Sequence, residues 1–486
     1  MSTVTTRSIA SGAEAPVTDM GAPMARIGCT GMVRATTSAS GAVRPPMARD
    51  VRIPRPAATR SNRTRRWMAK PEINDIILTL KQGKKKMKSK CVMKFGRKHL
   101  RKVNACRAVL CLAALAAAAN AVACSGFAVG KKVSATGRVI VAHNEDNIPK
   151  HRIRHAMIPA GAPQFDEPGH VSIPPAERAC ACFWSELKSA DGEPFPGDLF
   201  FNENGVMVYS NNGGVYEEWD GKTFSLPDEG YWSSCTDGGL GINLRFAVAQ
   251  RARTAREGVS IMTNLVMTFG YEPLSRIFTI ADKDETWLVQ VLHGRRYVAR
   301  RCPDDAVASY PNCLTIGAIE PGDVCSPYIA AQRGTFDFAA RYQGPRTWKS
   351  PFNLHRGLGL YRIVAGLDVK AGETYPFSLK PAHMISIDDI KRGLSSHYEG
   401  TPHETNPKHP EKGPKVVEPI CRRGTLEAMV CEFGETPADC VLHIAKGRPC
   451  ETPFMTFRPF GGALPDGVAT GEEAIKRISE HYKAAR

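Results

Sequence analysis

From Ser125 onward the chain breaks into short apolar runs set between polar turns. Ser125–Val133 and Arg138–Asn144 flank the turn Ala135-Thr136-Gly137, which predicts a β-hairpin starting directly at Ser125. Leu199–Asn202 and Val206–Tyr209, around Glu203-Asn204-Gly205, predict a second strand pair. The period then changes. Leu244, Val248, Ala255, Val259, Met262, Val266 and Phe269 recur near helical spacing and predict one long helix over Ile242–Phe269. Ile277–Ala281, Thr286–Val291 and Tyr297–Arg301 follow as a strand meander, with turns at Asp282–Asp284 and His293-Gly294. Shorter helices are expected at Asp388–His397 and Gly471–Ala485. Hairpins and helices in this order point to an α+β layered domain rather than a doubly wound parallel sheet. No Gly-x-Gly-x-x-Gly or P-loop pattern occurs, and no internal repeat.

Upstream the pattern is different. Residues 1–92 are rich in Arg, Ser, Thr, Pro and Ala with little apolar periodicity, so they cannot bury enough apolar surface to offset chain entropy. The charge follows the same division. The chain carries 65 Lys and Arg against 48 Asp and Glu, but 24 of those basic residues and only 5 of the acidic ones lie within residues 1–107. Beyond residue 123 the balance is close to neutral, which argues against a nucleic-acid-binding face on the main domain. A nucleic-acid-binding role is conceivable only for the basic arm. The simpler expectation is that residues 1–92 precede the working start of the protein.

That expectation comes from the next segment. Met93–Lys102 is basic, Ala108–Ala123 carries no charge, and the run closes on Ala121-Val122-Ala123. A basic head, an apolar stretch and a small-x-small site in that order describe a secretory signal over residues 93–123. The uncharged run has 16 residues and contains Asn120, short for a membrane span of about 20 residues. Export to the periplasm or the extracellular space is therefore expected, without a stable membrane span. Cleavage after Ala123 would leave Cys124 as the new terminus and residues 124–486 as the mature domain. Lipidation of Cys124 is the competing fate, disfavoured by Ala121 where a Leu-like residue is usual. Ten further cysteines follow Cys124, an even set that in an exported protein suggests disulfides. Cys180-Ala181-Cys182 is spaced too closely for a usual zinc pair, so no metal site and no cofactor are expected.

An N-terminal cysteine carries a nucleophile and a base on one residue. With reference pKa values of about 8.5 for the thiol and about 7.7–8.0 for the α-amine, moving the proton from sulfur to nitrogen costs only about 1 kcal/mol. While the Ala123–Cys124 bond is intact the nitrogen is an amide and cannot act as a base, so cleavage would activate the thiol.

Several motifs then appear in a recognisable order. They are Cys124-Ser125 with Val129-Gly130-Lys131-Lys132, Ala142-His143-Asn144-Glu145-Asp146, Asn202-Glu203-Asn204-Gly205-Val206, and Gln250 to Val259. Ala281 to Trp287, Val298 to Asp305, Pro311-Asn312, His397 to Thr401, Ile420-Cys421-Arg422 and Gly447-Arg448-Pro449 complete the series. Together they resemble the PepD-type dipeptidases, cysteine members of the N-terminal-nucleophile hydrolases, over nearly all of residues 124–486. The resemblance implies a four-layer αββα fold and hydrolysis of dipeptides with broad side-chain tolerance. It implies Cys124 as nucleophile, Asp146 as a carboxylate near it that would fix the ammonium, and Asn312 as oxyanion donor. Arg346 is implied as the arginine that lowers the thiol pKa, with Arg356 and Arg362 as nearby alternatives. Asn211 is a second oxyanion candidate, equally readable as a turn asparagine. His143 stands where related hydrolases often carry arginine, which leaves that arginine's role open here. An amidase of the same superfamily acting on acylated amines, and a non-catalytic envelope lipoprotein, are the alternative functions. Homo-oligomerisation is left open.

Overall fold

The computed structural model describes residues 124–483 except 164–166, 168, 189–193, 215–217, 220–223, 226–227, 336, 344–346, 348–349, 371, 373–374 and 412–416. The basic extension 1–92, the signal segment 93–123 and Arg346 lie outside the described residues.

The strands are β1 (Ser125–Val129), β2 (Ile140–Asp146), β3 (Arg152–Ile158), β4 (Cys182–Lys188), β5 (Pro194–Asn202), β6 (Met207–Asn212), β7 (Glu218–Trp219) and β8 (Phe224–Ser225). After α1 (Leu244–Ala249) and α2 (Ala255–Phe269) come β9 (Tyr271–Ala281), β10 (Thr286–Gly294), β11 (Arg296–Arg301), β12 (Val307–Tyr310) and β13 (Val324–Cys325). Two short helices, α3 (Pro327–Ala330) and α4 (Phe338–Tyr342), precede α5 (Pro351–Ala365) and α6 (Ile387–Leu394). The chain ends with β14 (Thr425–Glu432), β15 (Val441–Ala445), β16 (Met455–Phe457), β17 (Val468–Ala469) and α7 (Gly471–Lys483). One sheet has six strands in the order β12-β1-β2-β14-β15-β16, and a second has nine in the order β13-β11-β10-β9-β6-β5-β4-β3-β17. Every pairing in the two sheets is antiparallel except β17 with β3, so the α+β expectation holds.

Three apolar cores hold these elements. The first joins the two sheets through residues such as Val141, Met429 and Leu442 on one and Phe201, Tyr209 and Leu288 on the other. A second packs Trp184, Phe278 and Val289 of the nine-stranded sheet against Val248, Met262 and Ile478 of α1, α2 and α7. The third packs Phe127, Ile140 and Val430 of the six-stranded sheet against Leu360, Val364, Ile390 and Leu394 of α5 and α6. Both faces of each sheet are therefore covered, and β2 is buried along its whole length. Among the described residues no helix is long and apolar enough to cross a membrane.

Two expectations need correction. The single helix over 242–269 is two. Thr254 is extended and its side chain accepts from the Glu257 amide at 3.1 Å, while Asp282 Oδ2 accepts from the Ala255 amide at 2.6 Å. These caps start a new helix where the apolar spacing runs on unbroken. The eleven cysteines from Cys124 to Cys450 form no disulfides. Cys302, Cys431 and Cys440 lie in the inter-sheet core, Cys182 in the second core and Cys313 in the third, where each packs as a small apolar side chain.

Candidate active site

Cys124 stands immediately ahead of β1. That strand pairs with β2 so that Ser125 faces Asn144 and Gly126 faces His143, and with β12 so that Gly126 faces Tyr310. One further step of the register brings Cys124 level with Glu145. The Cys124 thiol donates to Glu145 Oε2 at 3.3 Å, with both residues buried, and Asn147 Nδ2 donates to the other carboxylate oxygen at 3.1 Å. Alternation divides this strand end into two faces. Ala128 and Val141 enter the inter-sheet core and Phe127 and Ile140 the helix-side core. Cys124, His143 and Glu145 accordingly share the inter-sheet side, and Ser125, Asn144 and Asp146 the helix side.

On the inter-sheet side the His143 ring packs against Tyr209 with centroids 4.8 Å apart. A ring nitrogen of His143, Cys124 Sγ and a Glu145 oxygen all lie within 4.8 Å of one another. These three donors would suit a thiophilic cation, but a metal held there would occupy the thiol.

On the helix side the central group is Arg356. Its Nη1 donates to the Cys124 carbonyl and to Ser125 Oγ (2.9 Å), its Nη2 to Asn312 Oδ1 (2.8 Å) and Asn353 Oδ1 (3.0 Å), and its Nε to the Phe352 carbonyl (2.9 Å). All five guanidinium donors are used, which fixes the group's position and plane. Burial, and next to it Arg422, pull the Arg356 pKa below the ordinary arginine value. The side chain comes from α5, which starts at Ser350, whose hydroxyl accepts from the Asn353 amide, and at Pro351. Gly357 and Gly359 let this helix approach closely, since a Cβ on them would lie 2.0 Å from Tyr375 Oη and 2.6 Å from Tyr398 Cε1.

Asn312 lies just past β12. Its amide donates to the Asn212 carbonyl at 3.0 Å while its oxygen accepts from Arg356, so Nδ2 has a fixed direction beside the thiol-bearing strand. Asn211 donates to the Tyr310 carbonyl at 2.9 Å and so ties β6 to β12, a fastening role. Arg362, the other alternative, pairs with Asp368 away from Cys124. Asp146 is fully buried. Its carboxylate accepts from Thr425 Oγ1 at 2.5 Å and faces Arg422 Nη1 at 3.6 Å. Burial pushes its pKa up to about 6, against the opposing pull of Arg422 and Arg356. Arg422 is held in turn by Glu418 at 2.8 Å, and both Arg356 and Arg422 stack on Phe352. A cleft of about 470 Å³ opens beside Thr425, lined in part by Arg152, Arg423, Lys446 and Arg448.

Three sequence candidates, Cys124, Asp146 and Asn312, thus come together at one sheet end. Arg346 lies outside the described residues; among the described residues the arginine that contacts Cys124 is Arg356, named from sequence as an alternative. Glu145, Ser125 and Asn353 were not singled out. A signal for Glu145 was present, because a strand pair starting at Ser125 carries it level with Cys124.

The profile of Peptidase family C69 matches residues 236–480. A "Probable dipeptidase B" of Streptococcus pyogenes serotype M1 is 25% identical over 375 residues, covering 69% of this chain and 72% of its own. A "Probable dipeptidase" of Salmonella dublin is 26% identical over 366 residues, covering 69% of this chain and 81% of its own. Among solved structures, a variant of the conjugated bile acid hydrolase from Clostridium perfringens aligns over 72% of this chain and 98% of its own. Its TM-score is 0.30 at 10% identity, too loose a likeness to argue from.

Proposed function

The chain belongs to peptidase family C69, and we propose that it is an exported dipeptidase whose nucleophile is the Cys124 thiol, set free by cleavage after Ala123. The observation that carries this reading is the buried Arg356 guanidinium, which donates to the Cys124 carbonyl, Ser125, Asn312 and Asn353 and so ties groups more than two hundred residues apart to the backbone of the cysteine at the head of β1. The dipeptidase relatives support the substrate class. The basic, uncharged and small-x-small order of residues 93–123 supports export. The three cores support reading the sheets and their covering helices as four layers, αββα.

Once the α-amine is free it takes the proton from Cys124 Sγ, and the thiolate attacks the scissile carbonyl carbon. Glu145 receives the thiol hydrogen bond in the resting state and holds the sulfur in place. Arg356 offsets the negative charge at the strand end, which favours thiolate. The Asn312 amide, fixed by Asn212 and Arg356, donates to the oxyanion of the tetrahedral intermediate. Collapse expels the leaving amine with the proton held by the α-ammonium, and a thioester remains. Water, deprotonated by the α-amine, then cleaves the thioester to the free acid and returns the thiol. Asp146 supplies the balancing charge for the terminal ammonium from the helix side. The cleft beside Thr425, where Arg152 and Lys446 stand with the ion-paired Arg423 and Arg448 and with Glu451, would take the free carboxylate of a dipeptide on its cationic groups.

N-terminal sequencing of the active protein, with a panel of dipeptides and of acylated amines, tests this. A sequence beginning Cys124-Ser125 with dipeptide turnover is expected. Activity from a chain that retains Ala123, or turnover of acyl amides alone, would refute it.

A further inference from the structure

A second cluster of sulfur and nitrogen donors lies outside this site. His397 follows α6, His409 lies in the long loop after it, Cys421 precedes β14, and Cys450 lies between β15 and β16. Their four donor atoms all fall within 4.8 Å of one another. His397 Nε2 and His409 Nε2 are 3.0 Å apart, Cys421 Sγ and Cys450 Sγ 3.4 Å, and His409 Nε2 is 3.4 Å from Cys450 Sγ and 3.8 Å from Cys421 Sγ. A tetrahedral zinc with usual bond lengths requires edges of about 3.3 Å between nitrogens, about 3.6 Å between nitrogen and sulfur and about 3.8 Å between sulfurs. The observed edges lie within a few tenths of an ångström of that figure.

The outer partners fit as well. His397 Nδ1 faces Glu399 Oε1 at 2.9 Å, and His409 Nδ1 faces Glu451 Oε1 at 3.5 Å. A histidine that donates Nδ1–H to a carboxylate turns a bare Nε2 lone pair to the other side, the arrangement of zinc-ligating histidines. Two such lone pairs then face each other across 3.0 Å, together with two sulfurs, and a cation between them removes the repulsion.

We propose that His397, His409, Cys421 and Cys450 bind one zinc ion in a closed, structural Cys2His2 site. Each thiol releases its proton to water on binding, and the two thiolates cancel the charge of the dication. No electron is transferred. With four protein ligands no position stays open for substrate, so the ion fastens and does not catalyse. It fastens the wall of the active site. Arg422, next to the ligand Cys421, faces Asp146, and the Asn144 side chain donates to the carbonyls of Ile420 (3.1 Å) and Leu394 (3.0 Å) on the same tied segment. The inference is independent of the peptidase reading, since its donors are not those of Cys124.

The test is metal analysis of the purified full chain after dialysis against metal-free buffer. About one zinc per chain is expected, and cobalt exchanged into the protein should show the strong visible bands and thiolate charge-transfer absorption of a tetrahedral site with two sulfurs. Cys421→Ser and Cys450→Ser should each lower zinc retention about tenfold or more, whereas Cys124→Ser should keep it. If the substituted proteins do not fold, the cobalt spectrum of the unaltered chain decides. A chain that takes up neither zinc nor cobalt would overturn the proposal. So would full zinc in the Cys421→Ser/Cys450→Ser double variant, zinc lost with Cys124→Ser, or a mass deficit of two hydrogens that maps to a Cys421–Cys450 disulfide.

Discussion

The molecule holds two sulfur centres of opposite design, one at each side of the same strand end. At the first, a single buried cysteine faces a carboxylate at 3.3 Å and its backbone carbonyl is gripped by an arginine, so one sulfur is positioned by groups that are not themselves sulfur ligands. At the second, two cysteines and two histidines close on one point, and their carboxylate neighbours face outward. Identical side chains are thereby given different work by what surrounds them. A nucleophile needs a proton acceptor, a fixed charge and a vacant approach. A structural ligand set needs complete convergence. The distinction yields a ranked series of tests.

The largest effect is expected at the first centre. Cys124→Ser should lower kcat/KM by on the order of 10³-fold or more, while zinc content and thermal unfolding stay as in the unaltered chain. Steady-state kinetics beside metal analysis checks this, and retained dipeptide turnover in the variant would erase the contrast between the two centres.

Arg356→Lys comes next. An ammonium cannot reproduce five donors in one plane, so Asn312, Asn353, Ser125 and the Cys124 carbonyl cannot all be served. A loss near 10³-fold in kcat is expected, with KM less affected. The parallel Arg346→Lys discriminates between the two arginines, since a comparable loss that follows Arg346 instead would move the arginine's role away from α5. Asn312→Ala, which removes one oxyanion donor and one acceptor for Arg356, should cost nearer 10²-fold in kcat. An unchanged kcat would show that the oxyanion is served from elsewhere.

These residues also show how far the chain could be read from its residues alone. The hairpin of β1 and β2 was legible, because Gly137 turns between two apolar runs and the sulfur sits at the head of the first. The strand extends two residues further than expected, to Asp146, and that extension brings Glu145 level with the thiol. Helix α5 was not legible. Gly357 and Gly359 weaken its helical signal, and they are there for the close approach of Tyr375 and Tyr398. Arg356 was therefore only one of three arginines with no helix to place it. The Cys2His2 cluster was less visible still, since its ligands come from separate loops with no repeated short spacing and meet only when β14 and β15 pair. Spacing rules find metal sites built on one hairpin, not those closed by tertiary contacts.

The smallest effect is the pH dependence of Asp146, which tests how the wall between the two centres is charged. Burial raises this carboxyl from 3.8 to about 6, so the folded state holds the proton more tightly than the unfolded chain. The sign follows from linkage. The group's contribution to stability is full below about pH 4 and is lost as pH rises through about 6. Asp146→Asn has nothing to titrate and should lack this slope. The difference in unfolding free energy between the unaltered chain and the variant should therefore shift against the unaltered chain by about 1 kcal/mol between pH 5 and pH 7. Denaturant titrations at the two pH values measure it, because groups common to both proteins cancel. A difference that stays flat would mean that Arg422 and Arg356 outweigh burial and keep Asp146 ionised throughout. The helix side of the strand end would then carry a fixed carboxylate, able to hold the terminal ammonium of Cys124 at any working pH.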